Sequence, residues 1–278
     1  MREADIPGVF AMSRAALFDP IPPGTEQDAY DHVTARVAHL LATDPGGAWV
    51  ADRDGEVVGV ALALVRERVW GLSLFAVASE LQGRGIGRGL LDVALQYGAD
   101  AAATGWIIMS SASPGAMRRY IDAGFDLHPA VGAAGVPDLR RMPEGAAAAI
   151  DAGSDGIDVA DALWREVRGA GMGRDIPPAL DSGARLLLIG ERAAVIARGA
   201  QIAALAARDA EAATLALWAA LASAPPGAGV AVDCLTGAQQ WAIRVCQDAR
   251  LPLTPDGPLM TRGRLGPLAP YIPSGSYL

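Results

Sequence analysis

The chain has 278 residues and a formal net charge of −8, with 51% hydrophobic and 19% charged residues. This composition is typical of a globular protein with a large core, and the length suffices for one large or two ordinary domains. The sequence contains neither lysine nor asparagine, which excludes lysine Schiff-base chemistry and N-glycosylation. The acidic balance argues against nucleic acid and anionic membranes as partners.

Further sequence features bear on the compartment and on metals. The sequence has no signal-peptide core and no apolar run long enough for a membrane span, so we expect a cytoplasmic protein with no membrane partner. Cys234 and Cys246 have no cysteine or histidine neighbours at metal-binding spacing, so we expect no metal site. We expect both to be buried free thiols, and a disulfide between them is the alternative.

The first predicted sheet elements form a hairpin. The β-prone runs Ala48–Asp52 and Glu56–Leu64 are separated by a turn that contains Asp54-Gly55, a pair typical of tight hairpins. The apolar run Trp70–Val77 predicts the next strand.

A glycine-rich loop follows that strand. After Val77 the chain reads Gln82-Gly83-Arg84-Gly85-Ile86-Gly87, and then Leu90, Leu91, Ala94 and Leu95 recur at helical spacing. A junction of strand, loop and helix start offers free backbone N–H groups and the positive end of a helix dipole to an anion, usually a phosphate. Glycines keep side chains away from the anion, and Arg84 and Arg88 add charge. The alternative is an ordinary tight turn without a ligand.

The loop can be compared with known phosphate-binding patterns. The dinucleotide fingerprint G-x-G-x-x-G fails because its sixth position would be Arg88 or Leu90, and the Walker loop fails because there is no lysine. The remaining pattern is Q/R-x-x-G-x-G/A, formed by Gln82, Gly85 and Gly87. It resembles the pyrophosphate loop of the GCN5-related N-acetyltransferases (GNAT), which bind acetyl-coenzyme A.

A second motif of that family lies downstream. The run Trp106–Ser111 predicts a strand, and Ser113, Pro114 and Gly124 suit the N-cap, the first turn and the end of a helix. The family pattern N-x-x-A-x-x-x-Y-x-x-x-G-F is matched by Ala116, Tyr120, Gly124 and Phe125, with Ser113 in place of the usual asparagine. Roughly residues 1–130 therefore resemble one complete acetyltransferase domain.

The resemblance implies roles for particular residues. Tyr120 corresponds to the tyrosine that protonates the departing thiolate, although simple packing on the sheet is the alternative. Ser113 would contact the cofactor or only cap its helix. The implied acetyl-CoA-binding residues are Val77, Gln82, Gly83, Arg84, Gly85, Ile86, Gly87, Arg88 and Ser113.

The general base is not specified by the sequence. The predicted strand Trp70–Val77 contains no glutamate or aspartate. His128 is expected to be a surface residue. The other candidates, acting directly or through water, are Glu67, Glu26, Asp28, Asp31 and His32.

The second half repeats the element order of the first. Residues 143–156 predict a linker between a catalytic domain, residues 1–142, and a second domain, residues 157–278. The predicted elements are a helix at Val159–Val167, strands at Arg185–Ile189, Ala193–Ala197 and Ile202–Ala206, a helix at Ala210–Ala222, a strand at Val230–Leu235 and a helix at Ala238–Ala249. No glycine loop follows the third strand, and Asp209 and Glu211 would repel a phosphate there. This copy is therefore expected to be degenerate.

The carboxyl-terminal segment, Tyr271–Leu278, is expected to dock on the protein. Residues 126–136 provide only a short, glycine-interrupted edge after Phe125, and the segment is a candidate to cover it. Trp241, Tyr271 and Tyr277 could line an acceptor pocket, with ordinary core packing as the default.

The sequence thus predicts an α/β fold with a mixed (α+β) sheet and two tandem GNAT-like domains. The resemblance implies transfer of the acetyl group of acetyl-CoA to a primary amine of a small molecule, while a protein lysine or N-terminal amine stays open as acceptor. The alternative is a non-catalytic acyl-CoA-binding or protein-interaction module. The oligomeric state, monomer or homodimer, is open.

Overall fold

The computed structural model describes residues 1–17 and 26–278. The described chain forms two compact units, Met1–Ala103 and Thr104–Leu278. The boundary between these units precedes the predicted linker at residues 143–156. Since the predicted domains rest on repeated element order and not on compactness, their bounds stay a prediction.

The first unit combines three helices with an antiparallel sheet of order β1-β2-β3. Its elements are α1 (Ile6–Leu17), α2 (Glu26–Thr43), β1 (Ala48–Arg53), β2 (Glu56–Arg66), β3 (Val69–Val77) and α3 (Ile86–Asp100). The predicted hairpin is confirmed, and Asp54 and Gly55 both have positive φ, at 56° and 88°, as a two-residue hairpin turn requires.

Two polar contacts fix α3 on this sheet. Trp70 of β3 is fully buried and donates its indole N–H to the carbonyl of Ala94, 2.9 Å away. The Tyr97 hydroxyl donates to the buried carboxylate of Asp44 at 2.8 Å, and Asp44 also pairs with the Arg66 guanidinium at 2.8 Å. These contacts anchor α3 to the sheet, and with it the loop at its amino-terminal end.

The second unit contains nine strands and five helices within its described residues 104–278. They are β4 (Gly105–Met109), α4 (Pro114–Asp122), β5 (Asp126–Gly135), β6 (Ile150–Asp151), α5 (Ile157–Arg168), α6 (Ile176–Asp181), β7 (Arg185–Ile189), β8 (Ala193–Arg198), β9 (Gln201–Ala207), α7 (Ala210–Ala222), β10 (Val230–Thr236), α8 (Gln240–Asp248), β11 (Leu253–Gly263) and β12 (Tyr271–Ile272). All predicted elements of the second half are present, with small shifts of their ends. The elements β6, α6, β11 and β12 were not predicted.

The strands of this unit follow the order β4-β11-β5-β10-β9-β8-β7-β6. Strand β5 pairs antiparallel with both β11 and β10, and β11 lies between β4 and β5. Strands β4 and β5 from the first half of the chain thus pair with β10 and β11 from the second half. The pairing of β9 with β10 is parallel, so the sheet is mixed, as predicted.

Two expectations for the segment after Phe125 were wrong. Residues Asp126–Gly135 form one continuous strand that the glycines do not interrupt, and it pairs with β11 on one side and β10 on the other. The carboxyl-terminal segment covers a different strand, since Tyr271 and Ile272 of β12 pair with Ala206 and Leu205 of β9. The edge is covered by β11, whose sequence contains Pro255, Gly257 and Pro258 and therefore gave a weak strand signal.

The core of the second unit is rich in alanine. Helix α7 contributes Ala212, Ala216 and Leu217, which pack with strand residues such as Val195 and Leu205. Cys234 and Cys246 are buried free thiols, as expected. Within residues 1–17 and 26–278 no helix is both long and apolar enough to cross a membrane.

Candidate functional site

The glycine-rich loop joins the end of β3 to the start of α3 in the first unit. A short 3-10 turn, Ser79–Leu81, precedes it, and Gly85 is the N-cap of α3. Gly83 and Gly85 have φ of +79° and +90°, which are strained for other residues. A Cβ atom at either glycine would meet no heavy atom within 4 Å, so the space beside both glycines is open.

Gln82 ties the loop to the preceding strand. Its side-chain amide donates a hydrogen bond to the backbone carbonyl of Val77, 3.1 Å away. Val77 itself is buried, and the Gln82 residue is otherwise exposed. The residue at the start of the motif therefore fixes the conformation of the loop.

The amino-terminal end of α3 has no side-chain cap. Gly85 cannot supply an acceptor, so no side chain caps the first-turn N–H groups. The side chains of Arg84 and Arg88 are exposed, and neither pairs with an acidic residue in the described parts of the chain. A Cβ atom at Gly87 would lie 3.6 Å from atoms of Phe75 and Val77, an ordinary packing distance. The arrangement is positive, open and suited to an anion.

The start of α7 in the second half is occupied by side chains of the protein. The Asp209 carboxylate accepts the N–H of Ala212 at 2.9 Å. The Arg192 guanidinium pairs with Asp209 at 2.8 Å and with Glu211 at 2.7 Å. Hydrogen bonding to Arg192 lowers the pKa of Asp209, so this carboxylate stays ionised at the helix start.

The carboxyl-terminal end of β9 is paired with β12. Strand β10 pairs with β9 only at Gln201 and Ile202, and beyond that point β9 pairs with β12. Tyr271 and Tyr277 are buried, which agrees with core packing. Trp241 is partly buried and donates to the Gln239 side chain at 2.9 Å.

Tyr120 lies in the last turn of α4 in the second unit. It is only 3% exposed, and its ring makes an edge contact with Phe125 at a centroid distance of 6.3 Å. Burial raises the pKa of Tyr120, so the phenol is protonated at neutral pH. Its role in acid catalysis remains a prediction from the motif.

Ser113 is the N-cap residue of α4 by position, and its side chain makes no capping hydrogen bond. The side chain is exposed. The expected N-cap hydrogen bond is therefore absent, whereas cofactor contact through Ser113 stays a prediction.

The candidate bases are spread over several elements. Strand β3 carries no carboxylate, and Glu67 lies in the turn after β2 with φ +52°. Asp31 accepts a hydrogen bond from Gln27 at 2.7 Å, and His32 is half-buried on α2. His128 is exposed on β5, as expected, and its Nε2 lies 2.8 Å from the Thr261 hydroxyl of β11. Among the described residues no group of three or more His, Cys, Asp or Glu could hold a metal ion.

Arg262 of β11 is the residue that sequence reasoning missed. Its guanidinium lies 4.1 Å from the Trp106 ring centroid and 5.1 Å from that of Phe125. Nothing local in the sequence indicates this contact, because it depends on the pairing of β11 with β4 across the whole second half.

Comparison with known proteins supports the family assignment. Residues 13–125 match the model of the Acetyltransferase (GNAT) family. A mycothiol acetyltransferase of Streptomyces griseus subsp. griseus is 33% identical over 88 residues, which is 31% of this chain and only 29% of that protein.

Solved structures show the fold at low sequence identity. A proposed acetyltransferase of Pyrococcus horikoshii has a TM-score of 0.82 with 17% identity and covers 100% of this chain and 94% of its own. A GCN5-related N-acetyltransferase of Sphaerobacter thermophilus has a TM-score of 0.57 with 16% identity and covers 96% of this chain and 95% of its own. The family match and the two motifs identify residues 13–125 as a domain of the Acetyltransferase (GNAT) family, and the solved structures show the mixed α/β fold of the chain.

Proposed function

We propose that the chain is an N-acetyltransferase that binds acetyl-CoA at the loop Gln82–Arg88 and acetylates the primary amine of a small molecule. The observation that carries the proposal is the uncapped start of α3. Its first-turn N–H groups follow two glycines of positive φ, and a side chain at either glycine would enter open space. A glycine loop of this kind leaves room for a phosphate against the amides.

The residues of the loop fit a pyrophosphate. The backbone N–H groups of the loop and first turn would donate to its oxygens, and Arg84 and Arg88 would supply positive charge without breaking an ion pair to a described residue. Gln82 holds the loop in place through Val77. Acetyl-CoA would supply the acetyl group as a thioester.

Tyr120 is the proposed proton donor to the departing sulfur. Its raised pKa keeps the hydroxyl protonated at neutral pH. The ordinary pKa of a thiol is about 8.5, which is below the raised pKa of the Tyr120 phenol, so complete proton transfer from Tyr120 to the thiolate is disfavoured. Its first contribution is therefore a hydrogen bond that stabilises the thiolate as the C–S bond breaks.

The acceptor amine must lose a proton before or during attack. Because β3 offers no carboxylate, the proposed route runs through water to one of the more distant groups, such as Glu67 or His128. A small-molecule acceptor agrees with the partial likeness to a mycothiol acetyltransferase. Protein lysine and N-terminal amines are the alternatives that an acceptor screen separates.

The second half is proposed to bind no cofactor. Asp209 already caps α7, and Arg192 pairs with both Asp209 and Glu211, so an incoming phosphate would meet two carboxylates. The segment Tyr271–Ile272 already pairs with the end of β9.

The proposal is tested by calorimetry with coenzyme A and by a screen for coenzyme A thiol release over small amines, peptides and amino acids. Binding together with turnover of a small amine is the expected result. Binding without turnover of any amine class would favour the non-catalytic acyl-CoA-binding module. Absence of binding would contradict the loop assignment itself.

A further inference from the structure

Arg262 lies in a row of aromatic side chains. In the pairing of β11 with β4, Arg262 is directly opposite Trp106. Its guanidinium lies over the Trp106 ring at 4.1 Å and reaches the Phe125 ring at 5.1 Å. The Phe125 ring in turn contacts the edge of Tyr120, with 6.3 Å between centroids and 61° between planes. The order of the row is Trp106, Arg262, Phe125, Tyr120.

Arg262 also holds the carboxyl-terminal end of α4. Its Nη1 donates to the carbonyl of Ala123 at 2.7 Å. The backbone N–H groups of Ala123 and Phe125 both donate to the Tyr120 carbonyl, at 3.1 and 3.0 Å. A cation at a helix carboxyl terminus also interacts favourably with the helix dipole. Arg262 is therefore connected to Tyr120 through backbone hydrogen bonds at the end of α4 and through the Phe125 ring.

The Arg262 side chain packs against the turn that ends α4. Gly124 has φ +83°, and a Cβ atom there would lie 3.6 Å from Cδ of Arg262. A planar guanidinium can stack on two rings and donate in its own plane at the same time, which an ammonium cannot do. The site is thus fitted to arginine and not to positive charge alone.

We propose that Arg262 is a positioning residue, which sets the place of the Tyr120 hydroxyl through the end of α4 and the Phe125 ring. The inference rests on the proposed function, because it gives Tyr120 a part in the reaction. It also assigns a task to the second half, which reaches the Tyr120 helix through β11 although it has no cofactor loop of its own.

The test compares Arg262→Met, Arg262→Lys and the control Arg264→Met, which alters an exposed arginine two residues away. A misplacement of about 1 Å can cost about 100-fold in rate, so we expect Arg262→Met to lower kcat by about 10- to 100-fold. The KM for acetyl-CoA should change less than about twofold, since the loop residues are untouched. Arg262→Lys should recover only part of kcat, and Arg264→Met should behave as the wild type.

A double mutant separates positioning from general stability. If Arg262 acts through Tyr120, Tyr120→Phe/Arg262→Met should be no slower than Tyr120→Phe alone. Fully additive losses, or a kcat of Arg262→Met equal to that of the wild type, would overturn the proposal.

An NMR measurement tests the positioning role of Arg262 without any acetyl transfer. The NMR resonance of the Tyr120 ring, assigned by its loss in Tyr120→Phe, should shift in Arg262→Met and much less in Arg264→Met. An unshifted resonance would overturn the positioning role. If no amine is acetylated but the resonance shifts, then the proposed function fails while the link between Arg262 and Tyr120 holds. Arg262→Lys provides the same readout if Arg262→Met does not fold.

Discussion

The carboxylate of Asp209 accepts the backbone N–H of Ala212 at the start of α7, 2.9 Å away. At the start of α3 the N-cap is Gly85, which has no side chain to do the same. Helices α3 and α7 therefore differ at their amino-terminal ends. The start of α7 is capped by its own chain, whereas the first N–H groups of α3 have no side-chain cap and are proposed to bind an external anion.

Coenzyme A should bind with a stoichiometry near one per chain, and Gly85→Glu should abolish binding. The substitution places a carboxylate at the helix start and a side chain at φ +90°. Calorimetry measures both effects. The matched control is Gly183→Glu, which introduces the same side chain at φ +84° in open space away from the loop. Two equivalent sites in the wild type would contradict the degenerate second half.

Tyr120→Phe should lower kcat while the dissociation constant of coenzyme A stays nearly unchanged. Loss of a proton donor typically costs about 10²–10⁴-fold in rate. The ring remains, so the contact with Phe125 is kept. Single-turnover kinetics under saturating acetyl-CoA measures the chemical step. An unchanged rate there would assign Tyr120 to packing alone.

The elements and the loop could be predicted from the sequence because their signals are local. Alternation of apolar residues, the Asp54-Gly55 turn and the Gln82–Gly87 motif all lie within short windows. Strand β11 could not be predicted, because Pro255, Gly257 and Pro258 weaken its strand pattern. Its place between β4 and β5 depends on pairing across more than a hundred residues. The contact of Arg262 with Trp106 was missed for the same reason.

A chain that ends at Glu144 should be poorly soluble. The predicted cause was an edge left for the carboxyl-terminal segment to cover, and the structure gives a different one. Without β10 and β11, strand β5 would lose both neighbours and β4 would lose its partner β11. Unpaired strand edges favour aggregation. Soluble yield and circular dichroism measure the outcome, and a stable, folded truncated chain would show that β10 and β11 are dispensable for folding of the first 144 residues.

The contribution of β11 to the free energy of unfolding can be measured in the full chain by replacing either of two leucines with alanine. Leu259 is 5% exposed and Leu253 is 43% exposed on the same strand. Leu259→Ala should lower the free energy of unfolding by about 2–5 kcal/mol, as for other buried leucines. Leu253→Ala should change it by no more than about 0.5 kcal/mol, as for other surface changes. Urea titration provides the comparison, and equal effects would contradict the buried placement of Leu259.

Asp233 should make stability depend on pH. It lies on β10, accepts a hydrogen bond from Gln201 at 2.9 Å, and faces Asp256 across Gly132, where a Cβ atom would be 3.6 Å from an oxygen of each carboxylate. Burial raises the pKa of Asp233, and repulsion from Asp256 raises it further, while the Gln201 hydrogen bond opposes the shift. The folded state therefore favours the protonated form.

The sign of the effect follows from this raised pKa. The stability supplied by protonated Asp233 is fully present below the unfolded-state pKa of about 3.9 and is lost as the pH rises through the higher pKa of the folded state. Asp233→Asn keeps an acceptor for Gln201 and cannot ionise, so it should become more stable than the wild type over that pH window and remain so above it. Thermal unfolding across pH 3–8 measures the difference in stability between the wild type and Asp233→Asn. The control Asp181→Asn, at an exposed aspartate, gives the general effect of removing a carboxylate. A difference that is constant with pH, or that reverses, would mean that ionised Asp233 is well accommodated in the sheet.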